Sequence, residues 1–107
     1  MDTPFENTIR VGEIVRAEAF PEARKPHMTK LWIDLGEESL VQSAGQLDYH
    51  YDAADLEGRR VLCGTDLGSV RVAGFKSEVL TVGVPSEAGY PVLVSPDEQG
   101  VLGGILY

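Results

Sequence analysis

Short apolar runs that alternate with polar residues, each broken off by glycine or proline, recur along this chain and leave space for hardly any helix. From Ile9 to Phe20 the side chains nearly alternate, with Ile9, Val11, Val15, Ala17 and Ala19 on one face and Arg10, Arg16 and Glu18 on the other, which predicts a long strand. Glu13 interrupts the apolar face, Ile14 falls on the polar one and Gly12 precedes both, so a bulge or sharp bend is expected there. Residues 21–29 hold Pro21, Pro26 and mixed charge, and read as an exposed loop. Leu31, Ile33 and Leu35 face one way in a second strand, Lys30–Leu35, and Gly36-Glu37-Glu38 turns it into a third, Ser39–Ser43.

A single good helix signal lies between Tyr49 and Gly58, with Asp52 placed to cap it, Ala53, Ala54 and Leu56 inside and Gly58 as its stop. Arg60–Thr65, Val70–Ala73, Glu78–Val82 and Pro91–Val94 follow as short strands. Three strands, a short helix, two more strands and a small additional element define an all-β chain. The arrangement expected is a five-stranded OB-fold barrel with a short helix between strands three and four and small terminal additions. Periodicity by itself also admits another small barrel or a sandwich. Alternation places Leu31, Ile33, Leu35, Val61, Val79 and Val92 in the core.

At 107 residues the chain has the size of one domain, spanning residues 1–107, and is too short for two separate cores. Its charge is lopsided, since 9 Lys and Arg against 17 Asp and Glu leave 9 − 17 = −8. A nucleic-acid binder is by default basic, because neutralised phosphates supply most of its non-specific affinity. Two explanations stand: the partner is not nucleic acid, or an acidic surface keeps the protein soluble in a salty cytosol. Cys63 is the only cysteine, so no intramolecular disulfide forms, and His27 and His50 lack the neighbouring ligands of a metal site. No cofactor is expected. No apolar run is long enough to span a bilayer, and the protein is expected in the cytoplasm without membrane insertion.

Four segments carry a resemblance: Arg10-Val11-Gly12-Glu13-Ile14-Val15, Phe20-Pro21-Glu22-Ala23-Arg24, Lys30-Leu31-Trp32-Ile33-Asp34-Leu35-Gly36 and Arg71-Val72-Ala73-Gly74-Phe75-Lys76-Ser77-Glu78-Val79-Leu80. With Gln42-Ser43 and Pro96-Asp97 they resemble, in order and spacing, the CsaA-type export chaperones, over nearly the whole chain. Residues 73–80 form the most specific piece. The resemblance implies an OB-fold domain, usually a homodimer, similar to the tRNA-binding modules appended to some methionyl- and phenylalanyl-tRNA synthetases. It also implies association with unfolded or exported polypeptides and with tRNA. Where that family often has Asn and a Pro- and Arg-rich run, this chain has Asp66-Leu67-Gly68-Ser69-Val70-Arg71, trading an amide for a carboxylate that repels phosphate. Ser77-Glu78-Val79-Leu80 stands where the appended modules commonly show Ser-x-Gly-Met, which sets the chain nearer CsaA.

Seven residues are candidates for contact with a peptide or tRNA: Lys30, Trp32, Gln42, Ser43, Arg71, Lys76 and Ser77. Arg71, Lys76 and Ser77 surround one turn and suit a phosphate or a peptide carbonyl, or else form a solvated loop fixed by Ser77. Trp32 shares a strand face with Lys30, opposite Leu31 and Ile33, where it either stacks on a ligand or is covered at a dimer contact. Arg24, Lys25 and His27 make the densest positive cluster, read as a ligand-facing loop or as ordinary solvated charge. Gln42, Ser43, Gln46, Tyr49 and Tyr51 either line a groove or serve turns. No nucleophile, phosphate loop or paired carboxylates mark an enzyme, and a small enzyme on a barrel scaffold is the remote alternative.

The leading expectation is a CsaA-like dimeric chaperone for unfolded or exported polypeptides, with possible binding of tRNA as well. The alternative is a stand-alone tRNA-binding module without chaperone activity. The apolar end, Val101, Leu102, Ile105, Leu106 and Tyr107, is expected to contribute to the dimer contact, or else to fold back on its own barrel.

Overall fold

The computed structural model describes residues 3–107. Its frame is a five-stranded antiparallel sheet, with β1 (Ile9–Ala19), β2 (Thr29–Asp34), β3 (Val41–Gly45), β4 (Arg60–Gly64) and β7 (Leu80–Thr81) in the order β3-β2-β1-β4-β7. Helix α1 (Ala53–Leu56) joins β3 to β4. The two ends of the sheet curl together: the Gln42 carbonyl accepts from the Glu78 and Val79 amides at 2.8 and 3.3 Å, and Thr81 Oγ1 donates to Ser43 Oγ at 2.9 Å. A nearly closed OB-like barrel results.

Two hairpins stand outside this sheet, and one of them corrects the strand assignment. The fifth barrel strand is β7, whereas β5 (Val70–Val72) pairs with β6 (Phe75–Ser77) in a sheet of their own. Ala73 and Gly74 both take positive φ, 46° and 83°, which is the two-residue reversal whose twist suits antiparallel neighbours. The chain therefore doubles back before it reaches the barrel. The second hairpin, β8 (Gly83–Pro85) with β9 (Pro91–Leu93), follows β7.

The bend in β1 occurs at Val15, two residues beyond the position that Gly12 and Glu13 suggest. Ile14 pairs with Ile33 and Arg16 with Trp32, so Val15 has no partner across the ladder. The inward face changes parity there. Gly12 and Ile14 point inward before the bulge and Ala17 after it, while Val15 is 40% exposed. A face of Ile9, Val11, Val15, Ala17 and Ala19 assumes unbroken alternation, and the extra residue breaks it.

Leu31, Ile33, Leu35, Val61 and Val79 lie in one core with Ile14, Leu47, Leu56 and Cys63. Val92 is half-buried, and its neighbour Leu93 enters the core instead, its amide held by the Tyr51 hydroxyl at 3.0 Å. Three-residue strands carry too little alternation to fix which face turns inward. Leu56 closes one end of the barrel, and Gly58, at φ 87°, ends the helix turn and donates to the Ile14 carbonyl.

The C-terminal segment folds back on its own barrel through its backbone. Val11 exchanges hydrogen bonds with Gly104 and Gly103, and Leu106 donates to the Ile9 carbonyl, so the segment fills the edge of β1 that β2 leaves open. Arg10 reaches the Gly103 and Leu35 carbonyls and Glu37, and Arg60 reaches the Gly100 carbonyl and Glu13. Val101, Ile105 and Tyr107 nevertheless present their side chains to solvent.

Two expectations follow. Ile33→Ala removes a fully buried side chain and should lower unfolding free energy by about 2–5 kcal/mol, read from the urea midpoint; a shift equivalent to under about 0.5 kcal/mol would place the strand face wrongly. Burial raises the Cys63 thiol from its ordinary 9.0 to about 12. The unfolded chain ionises this group first, so stability is retained below pH 9 and falls as pH climbs towards 12. A thiol reagent at pH 8 should therefore label the folded protein only at the rate of unfolding, and fast labelling of native protein would refute the burial.

Candidate binding groove

The loop between β1 and β2 and the β5–β6 hairpin rise as two walls over the end of β3, and a groove of about 650 Å³ runs between them. In barrels of this shape the face of strands two and three, flanked by these two connections, is where ligands settle. Glu22, Arg24, Lys25 and Met28 line one wall, Arg71, Val72 and Ala73 the other, and Ala44, Gly45 and Gln46 lie between. The lining is apolar below with cations at both sides. A second depression of about 370 Å³ shares Arg24, Lys25 and Met28 with the first and continues past His27 to Asp48.

The hairpin wall is fixed in place by three contacts to the barrel. Ser77 Oγ accepts from the Ala44 amide at 3.1 Å. The Gln42 side-chain amide, in the orientation that satisfies both of its ends, accepts from Trp32 Nε1 at 3.2 Å and donates to the Lys76 carbonyl at 3.0 Å. Phe75 packs edge-on against Trp32 and Phe20, with ring centroids 5.5 and 5.7 Å apart. Lys30 lies over both Phe20 and Phe75, at 4.7 and 5.3 Å, and Arg16 lies over Trp32 at 4.6 Å. Each cation so held keeps its charge at the surface while its stem covers a ring.

The seven candidates thus divide by place. Arg71 lines the groove, and Lys76 is exposed beside it on the same hairpin. Lys30, Trp32 and Gln42 share the outer sheet face, where the hairpin half-covers Trp32. Ser77 holds the wall, and Ser43 is buried inside the barrel against Thr81, on the opposite face from Gln42. Arg24 and Lys25 meet Arg71 across the groove, so the positive cluster of the loop and the hairpin arginine belong to one site. The contact of Phe20 with Phe75 has no local signal in the sequence, because the two residues lie 55 positions apart.

Charge is unevenly distributed over the surface. Arg10, Arg59 and Arg60 hydrogen-bond to the C-terminal segment, the last two through Ser95 and Gly100. Arg24, Lys25, Lys30, Arg71 and Lys76 make no ion pair among the described residues. The Asp66 carboxylate is not among the residues that line the groove; it accepts from the Thr8 amide at 2.9 Å, and that bond holds it below the ordinary carboxylate range, so it keeps its negative charge there.

An OB-type barrel with a cation-edged groove over strands two and three is the class of binding domain that this geometry defines. The chain belongs to the family described as "Putative tRNA binding domain", which it matches over residues 9–104. It is 31% identical over 91 residues to a methionine–tRNA ligase of Methanococcoides burtonii and 32% identical over 91 residues to one of Methanocaldococcus jannaschii, covering 85% of this chain in each case. The chain spans 13–14% of the length of these relatives. Among solved structures, chaperone CsaA of Bacillus anthracis superposes with a TM-score of 0.86 at 35% identity, covering 94% of this chain and 91% of that one. The CsaA chaperone of Picrophilus torridus gives 0.85 at 30% identity, covering 95% and 92%.

Removing the Phe75 ring should uncover the sole tryptophan. In Phe75→Ala the Trp32 emission should move to longer wavelength with the fold retained by circular dichroism; an unmoved spectrum would mean that the hairpin does not lie over this strand face.

Proposed function

We propose that this chain binds tRNA through the groove between the β1–β2 loop and the β5–β6 hairpin, as a homodimer of CsaA-like form. The observation that carries the reading is the segregation of charge. In a chain of net charge −8, Arg24, Lys25 and Arg71 face one groove against the carboxylate of Glu22, with Lys30 and Lys76 beside it and none of the five cations in an ion pair among the described residues. Cations aligned along a channel track a phosphate backbone, and the negative remainder of the surface opposes non-specific attachment elsewhere. Membership of a tRNA-binding family and the methionine–tRNA ligase relatives support the same ligand.

A second reading is favoured by the groove floor. Met28, Val72 and Ala73 offer an apolar strip suited to side chains of an unfolded polypeptide, and the similarity to CsaA chaperones supports a holding role. Neither reading requires catalysis.

The tRNA reading is tested by titration against salt. Log affinity should fall with log salt by roughly 0.7–0.9 for each phosphate neutralised, and Arg71→Ala should reduce that slope by about one phosphate. Absence of binding at low salt would eliminate the proposal. Suppressed aggregation of a denatured client in that event would favour the polypeptide reading.

The exposed side chains of the C-terminal segment support the proposed pairing. Val101, Ile105 and Tyr107 are 75%, 53% and 71% exposed on a segment whose backbone is already fixed to β1. Two-fold pairing would cover them with the same surface of a second copy. Light scattering on the full chain should give a dimer, and Val101→Asp with Tyr107→Asp should give a monomer; a full-length monomer at micromolar concentration would refute the pairing.

A further inference from the structure

Beyond the groove, three loops bring aromatic rings together at the surface. Tyr49, just before α1, stacks on Tyr90 of the β8–β9 hairpin, with ring centroids 4.6 Å apart and planes 17° from parallel. His27 of the β1–β2 loop meets both rings edge-on, at 5.4 and 4.9 Å. Tyr49 is 49% exposed. Such an open, flat aromatic area is unusual at a surface already dominated by charge, and it performs no part of the barrel core.

His27 sits at φ +60°, a left-handed conformation that a side chain disfavours. The Asp48 amide, donating to the His27 carbonyl at 3.0 Å, and Gln46 Nε2, donating to the Pro26 carbonyl at 3.0 Å, hold the loop in that shape. The loop is therefore bound to the segment that carries Tyr49. The hairpin is held by more than the ring stack, since His50 Nε2 donates to Ser86 Oγ at 2.8 Å and Tyr51 holds the Leu93 amide, while the His50 ring itself meets Tyr49 edge-on at 4.9 Å. Ser86 Oγ gives its proton to the Tyr90 carbonyl, which leaves it as acceptor towards His50.

The position of the rings relative to the cations gives them a ligand. Arg24 and Lys25 line both the groove and the second depression, and His27 lines that depression and touches both tyrosines. A strand whose phosphates follow Arg71, Arg24 and Lys25 is thereby led over the loop towards the stacked rings. Asp48, the chain neighbour of Tyr49, lines the same depression as Arg24 and Lys25, and its carboxylate repels phosphate on the side towards the rings, where the uncharged base is the group to be received. A flat pair of rings presents area to a flat partner and reads no hydrogen-bond pattern.

We propose that Tyr49 and Tyr90 form a stacking site for an unpaired nucleobase of the RNA whose backbone occupies the groove. This rests on the RNA reading of the groove. The site tolerates any base and favours purines, which offer the larger stacking area.

The test uses the full chain with two probes, folded tRNA and a short single-stranded oligoadenylate carrying one 2-aminopurine. The wild type should bind both and quench the 2-aminopurine emission. Tyr49→Ala should abolish the quenching and weaken oligoadenylate binding on the order of tenfold, with an unchanged salt slope, and Tyr49→Phe should restore both. Ser86→Ala removes the hairpin clasp and keeps every ring. An equal loss in Ser86→Ala and Tyr49→Phe would make the role structural and overturn the inference. Full affinity and quenching in Tyr49→Ala would overturn it while leaving the groove reading intact. No RNA binding by the wild type would overturn the groove reading itself, and a Tyr49→Ala defect confined to holding a denatured polypeptide would assign the rings to a protein ligand.

Discussion

Everything in this barrel depends on β1 being able to face two ways. Its eleven residues pair with β4 along one half and with β2 along the other, and the C-terminal segment fills the gap on the β2 side. One flat strand could not serve all three partners, because the pleat would turn alternate side chains out of the core at one end. The unpaired Val15 changes the parity midway and bends the strand, so that Ile14 and Ala17 both point inward. Gly12 adds the second condition. A Cβ at that position would lie 2.5 Å from Ile33 Cγ2 and 3.2 Å from Leu35 Cδ2, so the close approach of β2 to β1 requires its absence.

Local pattern revealed the elements and their order, and failed where a contact between distant segments decided the outcome. Leu31, Ile33 and Leu35 alternate cleanly and lie in the core, and Gly58 ends the helix turn as its position suggests. The bulge was legible as a fault in alternation at residues 13–14 but not as an insertion at Val15, since only pairing with Ile33 and Trp32 reveals which residue is extra. Val70–Val72 reads as a strand and is one, yet its partner is β6 and not the barrel, and the deciding feature is the two-residue turn at Ala73 and Gly74.

The groove shows the same division. Arg71 and Lys76 were legible from their block, and Arg24 and Lys25 from their density in a loop, but their convergence depends on two walls built from segments almost fifty residues apart. Ser43 illustrates the converse. Its neighbours are polar and its type suits a ligand, whereas the pleat sends it inward to bridge to Thr81 while Gln42 turns outward to Trp32. An overall charge of −8 likewise says nothing about the groove, because summing over the chain hides where each sign resides.

The anchoring of the hairpin wall affects how a ligand is received. Ser77, Gln42 and Phe75 fix β5–β6 to the outer sheet face before anything enters the groove. A ligand meeting Arg71 therefore encounters a preorganised surface and forfeits little conformational freedom of the protein on arrival. Selectivity in such a site comes from fit to a standing shape, and a partner too wide for the groove gains nothing by pressing on that wall.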